Sequence, residues 1–358
     1  MILGKIKKVH FIGIGGIGMS GISELLLNLG FKVSGSDIKI TPITSQLSEK
    51  GAIIYEGHNK KNILNSDLVV YSSAIDNENV ELVEARKIQL PIVRRAEMLG
   101  ELLKLKNTSI AVSGTHGKTS TTSMMGSILT EALFDPTLII GGVVKNLNAN
   151  ALLGEGDIIV AEADEFDKSF LQLSPTHSII TNIDSEHLDC YGSKENLVKA
   201  FNEFANSTAF YGSIILCIDD LLLKSIIPNI SRPIITYGFS GDAEFQAVNR
   251  KFRDYHSFFD VKHKGNLLGS IELEVPGAHN IKNALATIAL SIELGIKFKE
   301  IKKGLKNFSG VKRRFEIKGE VNKIIVIDDY AHHPTEVSAT LKAIQNGWGE
   351  KRIIAIFQ

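Results

Sequence analysis

Cysteine is almost missing from this chain: of 358 residues only two, Cys190 and Cys217, are cysteine. Two thiols without metal-ligand spacing exclude a disulfide framework and a cysteine-held metal cluster, and they fit a reducing, cytoplasmic setting. Excess charge of one sign is missing too, with 40 basic against 40 acidic residues. Nothing in that balance argues for nucleic acid or an anionic membrane as a partner. No apolar run approaches the roughly 18 residues that a membrane span requires. Lys5, Lys7 and Lys8 ahead of an apolar stretch imitate a signal peptide, but the glycines that follow and the polar Ser20, Ser23, Glu24 and Asn28 break the pattern. Low-complexity segments and internal repeats are also lacking. What remains, 44% hydrophobic and 22% charged residues, is enough for two or three buried cores. Composition leaves monomer and homodimer both open.

Glycine, by contrast, is concentrated where it carries chemistry. The β-branched run Ser109 to Ser113 leads into Gly114-Thr115-His116-Gly117-Lys118-Thr119, and Ser120 to Leu133 then reads as a helix. A strand that feeds a glycine turn into a helix N-terminus aims backbone N–H groups and the positive end of a helix dipole at one point, which binds polyphosphate. Lys118 can then reach the β- and γ-phosphates, and the Thr119 hydroxyl can ligate Mg²⁺. The spacing departs from the common phosphate loop, since Val112 stands where a glycine is usual and Gly114 supplies the extra one.

A second glycine loop follows the N-terminal strand Val9 to Ile12. Gly13, Gly15 and Gly18 satisfy the dinucleotide-binding spacing, with Gly16, Met19 and Ser20 between and after them, and Asp37 lies at the end of the next strand as a ribose-binding acid would. Alone, this loop suits either NAD or the diphosphate of another nucleotide. Together, the two loops point to an enzyme that holds a nucleotide-linked substrate and separately spends a triphosphate.

Alternating strands and helices predict parallel α/β sheets. The first unit, residues 1–106, has strands at 9–12, 32–34, 53–55, 68–71 and 92–93 and a closing helix over 97–105. The second, 107–313, continues through strands at 137–140, 157–161, 178–181 and 214–218. It then shows hairpin alternation over 242–275, a helix over 277–294, and a linker over Gly304 to Arg313. The third, 314–358, offers a strand at 323–327, a helix at 334–344 and a strand at 352–357. A β-α-β piece of about 45 residues buries too little core by itself, so this unit reads as incomplete.

The acids and histidines cluster at strand ends. Glu162-Ala-Asp164-Glu165 leaves an apolar strand where an NTPase sheet places a Mg²⁺-holding carboxylate. Thr181 to His187 leaves the next strand, so Glu162 and His187 are expected to face the phosphate loop. His279, Asn280 and Asn283 open a helix, where Asn280 also suits an N-cap. Arg314 lies on the second linker as a potential phosphate clamp, and Asp328-Asp329-Tyr330-Ala-His332-His333 precedes a helix that the acids could cap.

In combination, Gly-Ile-Gly-Gly-Ile-Gly-Met-Ser-Gly at 13–21, the loop at 114–119, Glu-Ala-Asp-Glu at 162–165, Thr-Asn-Ile-Asp-Ser-Glu-His at 181–187, His-Asn-Ile-Lys-Asn at 279–283 and Asp-Asp-Tyr-Ala-His-His-Pro-Thr-Glu at 328–336 resemble the Mur ligases, most of all the alanine-adding branch. The resemblance spans the whole chain. It implies a Rossmann-like N-terminal domain, a P-loop ATPase-like central domain and an incomplete Rossmann-like C-terminal domain. It also implies ATP-dependent ligation of L-alanine to UDP-N-acetylmuramate through an acyl phosphate, with Mg²⁺.

The first loop then becomes a UDP site, with Asp37 or Ser72 and Ser73 toward the uridine. Lys118 acts on the transferred phosphoryl group, and Thr119 and Glu162 hold one Mg²⁺ while His187 holds a second. His279, Asn280 and Asn283 lie toward the adenine, Arg314 and Asp329 toward phosphates and ribose, and Tyr330 and His332 toward the amino acid. Residues 200–204 contain no lysine of the kind several members carbamylate, as expected of this branch. The arginines that grip the amino acid's carboxylate in the family's next segment are not in the sequence, so this chain alone is expected to bind the sugar nucleotide without completing ligation. The alternatives are a ligase that attaches recycled murein peptide to the same sugar nucleotide, and a nucleotide-binding fragment without catalysis.

Overall fold

The computed structural model describes residues 3–144, 149–186, 188–349 and 351–357. In the first unit β1 (Lys8–Ile12), α1 (Ile17–Asn28), β2 (Lys32–Asp37), α2 (Pro42–Glu49), β3 (Ile53–Glu56), β4 (Leu68–Tyr71), α3 (Val80–Lys87), β5 (Ile92–Arg94) and α4 (Arg95–Leu103) alternate as the pattern predicts. Their sheet is parallel, in the order β3-β2-β1-β4-β5. The chain reverses direction across the sheet between β1 and β4. At such a switch point the loops leaving neighbouring strands part and open a crevice, here between Gly13–Gly16 and Ser72–Ser73.

The second unit contains β6 (Thr108–Ser113), α5 (Lys118–Glu131), β7 (Thr137–Val144), β8 (Ala149–Leu152), β9 (Ile158–Glu162), β10 (His177–Ile180), α6 (Leu188–Tyr191), α7 (Lys194–Ser207), β11 (Ile214–Cys217), α8 (Leu221–Ile226) and β12 (Ile234–Gly238). The hairpins β13 (Phe245–Arg253), β14 (His256–His263) and β15 (Asn266–Leu273) follow, then α9 (Ala278–Glu293) and α10 (Phe298–Lys306). All strands join one sheet, β15-β14-β13-β12-β11-β10-β6-β9-β7-β8. β6 is central, flanked in parallel by β9 and β10, so the loops after all three open at one edge. Buried apolar side chains run without a break from Phe11 and Leu25 of the first unit to Ile110, Met124 and Leu285 of the second.

Two expectations need correction. The linker proposed from Gly304 begins too early, because α10 continues to Lys306. Ile301 and Leu305, one turn apart, face inward, and a Cβ on Gly304 would stand 2.6 Å from the Ile128 Cα of α5. The glycine therefore marks a close helix crossing and not a chain break. The strand expected at 352–357 does not form, because a strand needs a neighbour for its N–H and C=O groups. Among the described residues the third unit is instead an antiparallel hairpin, β16 (Glu316–Val321) and β17 (Ile324–Asp328), followed by α11 (Pro334–Trp348). It docks through α11, where Asp254 N–H donates to the Gly347 carbonyl at 3.0 Å; within the unit, Trp348 stacks on Phe315 with ring centroids 6.0 Å apart.

Candidate active site

The phosphate loop is built from two left-handed glycines, Gly114 with φ of 128° and Gly117 with φ of 87°, the latter capping α5. Both positions are also crowded. A Cβ on Gly114 would collide with the Thr181 hydroxyl, and one on Gly117 would lie 2.7 Å from Asn283 Oδ1. The turn is pinned from β10, whose exit residue Asn182 accepts from His116 N–H through Oδ1 (2.9 Å) and from Thr115 N–H through its carbonyl (3.1 Å). Thr181 Oγ1 donates to the His116 carbonyl at 2.6 Å.

Lys118 folds back into this loop. Its ammonium donates to the carbonyls of Gly114 (2.7 Å) and Thr115 (3.1 Å) and pairs with Glu165 Oε2 at 2.7 Å. Burial opposes the charge, but the carboxylates of Glu165 and Asp164 outweigh it and hold the lysine protonated. Beside it, Thr119 Oγ1 donates to Glu162 Oε2 at 3.1 Å, and Gly141 N–H reaches Oε1 at 2.6 Å. Burial pushes the Glu162 carboxyl up. A sequestered carboxylate beside a hydroxyl is an all-oxygen donor pair of the kind Mg²⁺ accepts. His187, expected as a further metal ligand, lies outside the described residues.

A cavity of about 530 Å³ opens from the loop, with Gly117, Thr119 and Ser120 on one wall and His279, Asn280 and Asn283 on another. Arg314 and Asp329 of the third unit complete it. Burial lowers the pKa of His279 to about 4, so the imidazole is neutral. Gly277, not Asn280, caps α9; the Asn280 amide donates to the Pro276 carbonyl at 2.7 Å. Likewise α11 is capped by His333, not by the acids before it. Asp329 accepts from Phe315 N–H and Ala331 N–H, both at 2.8 Å. Arg314 pairs with Glu336 at 3.3 Å and lies over the Tyr330 ring, with His332 exposed beyond it.

At the first crevice Gly13 takes a φ of 78°, and Gly15 N–H donates to Asp37 Oδ2 at 2.8 Å. Gly16 caps α1. Met19 and Ser20 are buried on α1, where Ser20 Oγ receives the Asn150 amide at 2.9 Å. Ser72 is half-buried and Ser73 exposed at the end of β4.

Sequence reasoning missed Arg95, whose guanidinium lies against Gly18 and bridges to Asp164 at 3.1 Å, joining the first glycine loop to the segment after β9 whose Glu165 holds Lys118. A signal was available, because an arginine in the first turn of a helix opposes the helix dipole and asks for a reason. It also left Glu165, Asp184, His333 and Glu336 unassigned within stretches it had singled out.

Fold and site together define a nucleotide-binding α/β protein with a triphosphate-type loop in one sheet and a dinucleotide-type loop in another. The chain belongs to the Mur ligase family: residues 8–107 match the Mur ligase family catalytic domain, 112–291 the Mur ligase middle domain and 313–358 the Mur ligase glutamate ligase domain. It is 50% identical over 99% of its length to the UDP-N-acetylmuramate--L-alanine ligase of Geotalea daltonii, covering 77% of that protein. To the ligase of the same name from Salinibacter ruber it is 48% identical, covering 75% of that chain. The crystal structure of UDP-N-acetylmuramate-alanine ligase from Thermotoga maritima superposes with a TM-score of 0.85 at 33% identity, over 95% of this chain and 77% of that one. A murein peptide ligase from Psychrobacter arcticus gives a TM-score of 0.79 at 28% identity, over 96% and 77%.

Proposed function

We propose that this protein joins L-alanine to the lactyl carboxylate of UDP-N-acetylmuramate at the expense of ATP, a cytoplasmic step of peptidoglycan precursor synthesis. The observation that carries the reading is the pairing of two glycine loops, each following a central strand flanked by parallel neighbours, in two units bridged by Arg95 and Asp164. In the division of labour proposed, residues 1–106 take the UDP moiety, 107–313 take ATP, and 314–358 close over the site and meet the amino acid.

A carboxylate is a poor electrophile toward an amine, so the muramoyl carboxylate is first phosphorylated to an acyl phosphate, and the alanine amine then displaces phosphate. Lys118 exchanges the loop carbonyls and Glu165 for phosphate oxygens and offsets the charge that develops on them. Thr119 and Glu162 would hold Mg²⁺, which when bound neutralises phosphate charge. Arg314 and Asp329 close on the phosphates and ribose from the third unit, His279, Asn280 and Asn283 line the adenine side, and Tyr330 and His332 flank the amino acid. Asp37, Ser72 and Ser73 serve the uridine end of the first crevice. No helix among the described residues is long and apolar enough to cross a membrane.

The test is product analysis by chromatography after incubation with UDP-N-acetylmuramate, ATP, Mg²⁺ and either L-alanine or a murein tripeptide. An amide formed with L-alanine is expected, against the sequence expectation of binding without ligation; sugar-nucleotide binding with no amide from either substrate would return the reading to a nucleotide-binding fragment. An amide formed with the tripeptide in preference would move the assignment to the peptide-recycling ligases.

A further inference from the structure

Outside the Thr119 and Glu162 pair, one group of side chains among the described residues has the chemistry of a metal site, and it is drawn from three distant parts of the chain. His116 comes from the phosphate loop, Asp184 from the exit of β10, and His333 from the N-cap of α11; one potential ligand atom from each lies within 4.8 Å of the others. His116 Nε2 is 3.2 Å from Asp184 Oδ2, and His333 Nδ1 is 3.8 Å from the same oxygen; Nδ1 accepts a long cap bond from Thr335 N–H at 3.4 Å, which an ion would displace. The two imidazoles face each other with ring centroids 5.2 Å apart. In a tetrahedral site with ligand bonds of about 2.1 Å, donors stand about 3.4 Å apart, so small side-chain adjustments would close these three around one ion.

The surroundings match what holds a metal-bound imidazole in place. The other ring nitrogen of His116, Nδ1, lies 3.3 Å from Glu336 Oε1, and Glu336 is itself held by Arg314 at 3.3 Å. A carboxylate on the far nitrogen fixes the tautomer and leaves Nε2 to the ion. Thr335 Oγ1 donates to Asp184 Oδ2 at 2.7 Å and orients that carboxylate. Glu186 Oε1, 3.7 Å from His333 Nδ1, or a water can supply the fourth donor.

Two nitrogens and one carboxylate oxygen suit zinc and its neighbours in the first transition row, while Mg²⁺ prefers oxygen alone. We propose that His116, Asp184 and His333 form a binding site for a divalent cation of the zinc class, separate from the Mg²⁺ position at Thr119 and Glu162, that ties the third unit to the phosphate loop. The binding claim does not depend on the ligase reading.

The full chain, stripped with chelator and kept in millimolar Mg²⁺, is titrated with Zn²⁺ against a chromophoric competitor, and in parallel with Co²⁺ followed by visible absorption. One equivalent should bind, with the intense visible bands of tetrahedral Co²⁺ and a raised unfolding temperature. His333→Asn keeps an N-cap acceptor on α11 and should weaken Zn²⁺ binding at least tenfold. His116→Gln, on another element, should give the same loss and covers the case in which the first variant folds poorly. Glu162→Gln and Cys190→Ser should stay within twofold of the parent. Absence of a bound equivalent, equal affinity in the parent and both histidine variants, or loss in Glu162→Gln or Cys190→Ser instead would overturn the proposal.

Discussion

Glu81 has a fully buried side chain, yet its carboxylate accepts from His10 Nε2 (3.3 Å), Ser36 Oγ (2.6 Å), Asn59 N–H (3.1 Å) and the Asn62 amide (2.7 Å). Burial alone would raise its pKa; the hydrogen bonds from His10 and Ser36 prevail and hold it below the ordinary value. A depressed carboxyl stabilises the fold above the unfolded-state pKa of about 4.3, and that contribution disappears as pH falls through the folded-state value. Thermal unfolding of the parent should therefore lose more between about pH 5 and pH 3 than unfolding of Glu81→Gln. Glu81→Ala, which strands four donors, should cost about 3–5 kcal/mol by denaturant titration. A loss below about 1 kcal/mol would mean that the network does not matter. At the second crevice, Glu162→Gln should lower ligase activity in a way that added Mg²⁺ or Mn²⁺ partly restores; wild-type activity would remove the residue from the metal site. The positions of Lys118 and Thr119 at the start of α5 were legible because strand, loop and helix follow in fixed local order, and that of Glu162 because an apolar strand ends there. Glu81 and Arg95 were not, since their partners His10 and Asp164 lie 71 and 69 residues away and no local pattern encodes those pairings.

Among the elements, the first five parallel strands and the hairpins of 242–275 could be read from alternation and turn residues, because each strand's burial follows its own pattern. The helix α10 could not, since Gly304 near its end imitates a chain break. Its support is tertiary: Ser127 Oγ donates to the Gly304 carbonyl at 2.7 Å, and Ile128 packs where a side chain would otherwise stand. Gly304→Ala should therefore destabilise by about 1–3 kcal/mol, although alanine is the better helix former. Unchanged or increased stability would indicate that the α5–α10 crossing relaxes freely. The strand expected at 352–357 illustrates the opposite error, in which β-branched content was read without asking which neighbour would supply the ladder.

Across the whole molecule the first two units share one apolar core, and the contacts that set the units against one another include Asn150 donating to the Ile17 carbonyl at 2.8 Å, the Arg95–Asp164 bridge, and α11 on the phosphate loop. Arg95→Ala removes a partly exposed ion pair worth about 0–1 kcal/mol, so the unfolding temperature should hardly move. Because the guanidinium also lies against Gly18, UDP-N-acetylmuramate binding should weaken about tenfold, close to the 1.5–3 kcal/mol of a charge-assisted hydrogen bond. Unaltered affinity would confine Arg95 to a structural role. The three-unit plan was visible in the order of the motifs, whereas the way the units face one another was not, because the residues that meet across the interfaces are far apart in sequence. The two glycine loops are proposed to serve two different nucleotides, and calorimetric titration of UDP-N-acetylmuramate and of ATP into the parent and Lys118→Ala separates them. ATP affinity should fall at least tenfold in the variant while UDP-N-acetylmuramate affinity stays within twofold. Parallel loss of both, or tight NADH binding at the first loop with none of the UDP-sugar, would contradict it.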